Sequence, residues 1–423
     1  MPLFKNTVNR MLTKGSSKSI HLGKLLAVTL LSANLLACST TDDEEDTSDL
    51  PVELTEINQQ FDPEIIWEKS IGDGSDDFFS RLKPIVAYDN IYTASRSGGV
   101  VALDAKTGKQ IWKVDLSDIN NERSFWEASV SARLAGGPTA GLNKIFIGSE
   151  SGKVFALDAA TGELSWEADI KGEVINAPAV NSGIVVVNTV SGIMQAFNGE
   201  TGEVIWKIEQ DVPPLTLRGI SQPVIASGGV LIGTGKGSVS VYLLQKGQQG
   251  WETEIGEATG STELERVVDV DTAPVIFGDK VYAISSRGNL ASIELKSGRI
   301  IWKRQYSSYR EIAIYRNDIY LTNIRGHVYA LNRNNGIERW SNLSLTNRSV
   351  TGPAVLDRYV VVGDFEGYLH WLDMESGDIV ARHEVDSSGI DTTPSVSGNM
   401  LYTQSVDGDL QAIETPKIIK ASN

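Results

Sequence analysis

The chain has 423 residues, with 38 Lys and Arg against 54 Asp and Glu, a formal net charge of −16, 41% hydrophobic residues and a single cysteine. The acidic balance argues against a nucleic-acid partner, and one cysteine leaves no internal disulfide to staple the fold. A chain of this length reaches its size through several cores or through repetition rather than through one growing core.

The first residues carry Lys5, Arg10, Lys14, Lys18 and Lys24 and no acidic residue, then an apolar stretch from Leu25 to Leu36. Residues 1–37 therefore read as a secretory signal peptide. The signal ends in Leu35-Leu36-Ala37-Cys38, which resembles the lipobox of bacterial lipoproteins. A lone exposed thiol is a liability in an oxidising compartment, so Cys38 is expected to be the lipidated residue. Cleavage removes five positive and no negative charges, which leaves a mature net charge of −21. Residues 38–62 include Asp42-Asp43-Glu44-Glu45-Asp46 and are expected to form an acidic, disordered tether.

From Pro63 to Thr415 one spacing recurs. A proline is followed 14 residues later by a glycine in Pro84/Gly98, Pro138/Gly152, Pro178/Gly192, Pro223/Gly237, Pro274/Gly288, Pro353/Gly367 and Pro394/Gly408, and Ile312/Gly326 lacks only the proline. A second glycine and then a tryptophan follow at fixed distances, giving Trp112, Trp166, Trp206, Trp251, Trp302 and Trp340, with Ala381 in the seventh place. Between the punctuation lie four short β-branched or aromatic runs, such as Ile184-Val185-Val186-Val187 and Val204-Ile205-Trp206. Each unit is thus a four-stranded antiparallel sheet that starts at its proline, which has no N–H to give to a ladder. A turn such as Asp104-Ala105-Lys106-Thr107-Gly108 suits the last hairpin, because Asp can bond the turn backbone and Gly can take positive φ. The tryptophans are expected to fill the space between neighbouring sheets.

The last unit runs out of chain before a fourth strand, while Glu64-Ile65-Ile66-Trp67-Glu68-Lys69 matches Gly202-Glu203-Val204-Ile205-Trp206-Lys207 in pattern. An N-terminal strand that completes the C-terminal sheet closes a ring. The fold expected is all-β: an eight-bladed β-propeller of four-stranded antiparallel blades over residues 63–415, followed by a short tail at 416–423.

No catalytic constellation is legible. His327, His370 and His383 have no metal-ligand spacing, and Gly233-Thr234-Gly235-Lys236-Gly237-Ser238 leads into a hairpin rather than a helix, so it reads as a turn and not as a phosphate loop. No metal or cofactor is expected.

The units, cleanest in Ala-Leu-Asp-Ala-x-Thr-Gly-x-x-x-Trp at 102–112, resemble the tryptophan-docking repeats of pyrroloquinoline-quinone-dependent dehydrogenases and, equally, those of the BamB family of outer-membrane assembly factors. The dehydrogenases are typically longer, and many carry a vicinal cysteine pair. A lipobox, an acidic tether and a compact eight-unit propeller are similar to BamB. That resemblance implies a non-enzymatic scaffold of the Bam complex, bound to the POTRA region of BamA, lipid-anchored to the outer membrane through Cys38 and facing the periplasm. Ser39 after the cysteine fits the same location by lipoprotein sorting. The alternatives are a quinone-dependent dehydrogenase-like enzyme and a lipid-anchored, ligand-binding propeller.

Two stretches, Pro214-Leu215-Thr216-Leu217-Arg218-Gly219 and Asp269-Val270-Asp271-Thr272-Ala273-Pro274, resemble the BamA-contacting segments of the family. The partner-binding residues this implies are Leu215, Leu217, Arg218, Asp269 and Asp271. Arg218 and Asp269 each lie five residues before a unit proline, so they occupy equivalent positions on adjacent blades, side by side at one end of the ring. Arg348 holds the same position before the distant Pro353 and is expected to be a comparable surface cation outside the site.

Overall fold

The computed structural model describes residues 49–75, 78, 80–117, 130–217, 221–259 and 261–416. Cys38, Arg218 and most of the insert at 117–133 lie outside the described residues. The described residues from Pro51 onward belong to one compact unit.

The repeat spacing folds as expected into eight antiparallel blades. Blade 1 spans residues 85–115, blade 2 134–169, blade 3 179–209, blade 4 224–254, blade 5 275–304, blade 6 313–342 and blade 7 354–384. Blade 8 takes three strands from residues 395–414 and its outermost strand from Glu64–Ser70, which pairs antiparallel with Asp409–Glu414 and sets Trp67 opposite Ala412. The innermost strand of blade 8 lies against that of blade 1, so the ring closes.

Because the strands alternate in direction, the first and third turns of every blade lie at one end of the ring. The middle turn and the connection to the next blade lie at the other. The unit prolines stand directly before innermost strands such as Ala179–Asn181 and Val224–Ala226. Pro138 is the exception: it lies inside Leu134–Gly141, where the register slips between Gly136 and Thr139. The channel-facing edge of that strand pairs in parallel with Arg81–Leu82, a short extra strand inside the central channel.

The third turn shows why the glycine is needed. The Asp104 carboxylate accepts from the Lys106 and Thr107 amides at 3.2 and 2.8 Å, and Gly108 has φ of 67°. A Cβ at Gly108 would stand 2.6 Å from the Trp67 ring. Each outer-strand tryptophan of the repeat therefore lies on the glycine turn of the following blade, and most donate their indole N–H to a carbonyl there: Trp67 to Ala105, Trp112 to Ala159, Trp166 to Gly199, Trp206 to Leu244, Trp251 to Leu295 and Trp340 to Met374, at 2.6–3.1 Å. Small residues stand across the ladder from these rings, as in Ala102 opposite Trp112 and Ala156 opposite Trp166.

Blade 7 inverts that pair. Trp371 sits on the third strand, opposite Ala381 on the fourth, and its indole donates to the Thr415 hydroxyl of blade 8 at 3.0 Å. Blade 8 has no hairpin between its third and fourth strands, because the fourth comes from the N-terminus. No glycine turn is therefore available for an outer-strand tryptophan. Phe61 completes the seam, 5.1 Å from the Tyr359 ring and 6.3 Å from the Trp371 ring.

Phe61 also corrects the expected tether. From Pro51 the chain belongs to the folded unit, not from Pro63. The Val52 amide donates to Thr346 at 3.0 Å, Arg382 reaches the Thr55 carbonyl at 3.1 Å, and the Gln60 amide donates to Val380 at 2.7 Å. Leu54 packs on the blade 6 to 7 core and Phe61 on that of blades 7 and 8. Overall charge in the segment masked these two apolar anchors.

Candidate partner-binding site

The sequence-selected stretches fall in successive blade connections at one end of the ring, residues 210–223 between blades 3 and 4 and residues 255–274 between blades 4 and 5. The structure joins them directly: the Leu217 amide donates to the Asp269 carboxylate at 2.7 Å. Asp269 is itself held, because its carbonyl accepts from the Ser286 amide of blade 5 at 2.8 Å while the next amide, Val270, donates to Thr234 of blade 4 at 3.1 Å. Gly233 admits this passage, since a Cβ there would lie 2.2 Å from the Val270 carbonyl.

The five implied residues do not play one role. Leu215 and Leu217 are 43% and 47% exposed, whereas Asp269 and Asp271 are 0% and 2% exposed. The leucines offer the apolar surface, and the carboxylates sit beneath it. Burial pushes Asp269 up to about 6 against the pull of the Leu217 amide. Burial and the neighbouring Asp269 charge push Asp271 up to about 7, with Arg81 opposing. Arg218, the cation of the set, is outside the described residues.

Below this surface the central channel holds a cavity of about 760 Å³ that Leu217 and Asp271 help to line. Arg81 reaches across it from the extra strand and donates from Nη1 to the Asn176 side chain at 2.6 Å and to the Asp271 carbonyl at 3.0 Å. Lys83 bridges to both oxygens of Glu311 at 2.7 and 2.8 Å. Burial alone would raise Glu311, but the Lys83 ammonium draws it below its ordinary range. Sequence reasoning missed Arg81 and Lys83. They lie between Trp67 and the first unit proline, where no repeat position marks them.

Arg348 differs from its expected role. It is buried, with Nε bonded to Asp364 at 2.8 Å, Nη2 to Glu366 and Nη1 to the Val52 carbonyl at 3.0 Å. His370 shares Asp364 at 3.0 Å and accepts from Arg382 at 3.3 Å. His327 and His383 bond Thr346 and Gln411, both at 3.0 Å. These histidines are structural ties. Among the described residues no group of three His, Cys, Asp or Glu could hold a metal ion.

The profile of the family described as outer membrane protein assembly factor BamB matches residues 55–123, 117–342 and 325–417. The chain is 44% identical over 393 residues to the outer membrane protein assembly factor BamB of Shewanella oneidensis, covering 93% of this chain and 98% of that one. It is 42% identical over 395 residues to BamB of Escherichia coli strain K12, covering 93% and 100%. The crystal structure of BamB from Moraxella catarrhalis superposes with a TM-score of 0.73 at 26% identity, over 84% of this chain and 100% of that one. A quinohemoprotein alcohol dehydrogenase from Comamonas testosteroni superposes with a TM-score of 0.64 at 13% identity, over 86% and 78%, a likeness of fold alone. The chain belongs to the outer membrane protein assembly factor BamB family.

Proposed function

We propose that this protein is a non-enzymatic scaffold of the outer-membrane β-barrel assembly machinery that binds the POTRA region of BamA through the loops before blades 4 and 5 and so assists barrel folding and insertion. The observation that carries the reading is the Leu215 and Leu217 surface, exposed yet tied from below where Asp269 accepts from the Leu217 amide. A few apolar anchors on a pre-ordered loop supply most of the energy in many interfaces. Asp269 and Asp271 act here through the loops, and Arg218 supplies the positive charge of the set.

In this reading Arg81, bonded to Asn176 and Asp271, and the Lys83–Glu311 bridge serve as ties across the channel. The anchor in this reading is a lipid on Cys38, which holds the propeller on the periplasmic side of the outer membrane. Two experiments test it. A tagged wild-type chain should co-purify BamA from membranes, and a Cys38→Ser chain should be released as soluble or unprocessed protein. Failure to recover BamA removes the scaffold reading, and membrane retention of Cys38→Ser with no acyl mass on wild type removes the anchor.

A further inference from the structure

Charge is unevenly distributed along this acidic chain. Residues 280–339 hold eleven Lys and Arg against four Asp and Glu, whereas the rest of the chain holds 27 against 50. That window covers most of blades 5 and 6, and Lys246 of blade 4 adds a cation at the end of the ring opposite the partner loops.

There the first and third turns of three blades come together. In blade 4 the Leu244 amide donates to Gly228, in blade 5 Leu295 to Asp279, and in blade 6 Arg333 to Asn317, so each pair of turns forms one tip. Blades 5 and 6 are continuous at this end, with the Arg333 guanidinium 4.0 Å over the Phe277 ring. The tips carry the cations Lys246, Lys280, Lys296, Arg316 and Arg333, which outnumber the exposed acids Asp279 and Glu338 beside them. None of the five has an ion-pair partner among the described residues, whereas Arg299 and Arg339 beside them pair with Glu294 and Asp318. Between the cations stand exposed Leu243, Phe277 and Ile337, and Arg316 lies 5.0 Å over the Tyr315 ring.

We infer that this end of blades 4 to 6 is a docking surface for an anionic phospholipid bilayer. Unpaired cations beside exposed apolar side chains on turn tips match a headgroup layer, which offers anionic charge above and an apolar boundary beneath. A second copy of the chain is the other acidic candidate. That pairing is an outcome of the test below.

The test uses the unacylated mature chain, residues 39–423, in flotation with phosphatidylethanolamine/phosphatidylglycerol vesicles and with phosphatidylcholine vesicles. The expected result is binding to the anionic vesicles only, lost at about 0.5 M salt where surface charges are screened. Lys246→Glu/Lys280→Glu/Lys296→Glu should weaken it tenfold or more and leave BamA binding unchanged. Lys106→Glu/Lys109→Glu/Lys113→Glu changes the net charge equally on blade 1 and should retain most binding. Leu243→Ser/Phe277→Ser should weaken binding at constant charge. Equal losses in the two lysine triples, equal binding to phosphatidylcholine, no binding to anionic vesicles at low salt, or a wild-type dimer that the blade 4 to 5 triple dissociates would each overturn the proposal.

Discussion

Trp371→Ala tests the seam where the ring closes. The ring of Trp371 is fully buried between blades 7 and 8, contacts Phe61 and donates to Thr415. Removing a buried tryptophan costs about 3–5 kcal/mol, and the lost hydrogen bond adds about 1 kcal/mol. The Ala381 methyl across the ladder cannot refill the space. Blades 7 and 8 should therefore separate about a thousand- to ten-thousandfold more often, since each 1.4 kcal/mol is a factor of ten. Hydrogen exchange reads this locally, in the amides of Glu64–Ser70 and Asp409–Glu414. Phe61→Ala should open the same amides by a smaller factor. The double variant should fall short of the sum of the singles by about 0.5–1.5 kcal/mol, the coupling expected of touching aromatic rings. If Trp371→Ala left exchange in these two strands unchanged while destabilising blade 3, or if Phe61 and Trp371 were additive, the inverted seam would be wrong.

Gly108→Ala should destabilise by more than about 2 kcal/mol, seen in denaturant melts, because φ of 67° and a Cβ 2.6 Å from the Trp67 ring leave the methyl no room. Asp271 has an ordinary value of 3.8 and is pushed up to about 7 in the fold, so the native state holds its proton more tightly. The stability this adds is full below pH 3.8 and is lost as pH rises through about 7. Asp271→Asn should accordingly gain on wild type as pH rises from about 4 to 8, by at most about 4 kcal/mol at about 1.4 kcal/mol per pH unit; melts with no such trend would contradict the burial of this carboxylate. Arg348→Glu should unfold the blade 6 to 7 junction rather than act as a surface change, with a loss of about 3–5 kcal/mol, because it leaves Asp364 and Glu366 facing a third anion.

The ring, its eight blades and its closure were legible because they rest on local rules: glycine at positive φ, proline before an innermost strand, and tryptophan at a fixed phase. The inversion of Trp371 and Ala381 was visible only as a missing tryptophan. Its cause, the missing hairpin of blade 8, is a property of the closed ring. Phe61 and Leu54 were hidden inside a charged segment, where average composition outweighs two anchors. For the site, register placed Arg218 and Asp269 side by side; Arg218 lies outside the described residues, and it is the preceding residue, Leu217, whose amide bonds Asp269 at 2.7 Å. Register could not tell an exposed side chain from one turned inward, so Asp269, Asp271 and Arg348 read as surface charges although all three are buried. Arg81 and Lys83 lie outside the repeat, and cross-channel ties have no linear signature.

The most direct measurement of the central claim is a titration of a BamA POTRA fragment into three folded proteins: wild type, Leu215→Ala/Leu217→Ala, and Ile324→Ala. Ile324 is an exposed apolar residue at the same end of the ring, over blade 6. Wild type should bind, the double leucine variant should lose tenfold or more, about 1.4 kcal/mol, and Ile324→Ala should match wild type. Equal affinity in all three, or no binding by wild type, would contradict the assignment of this surface.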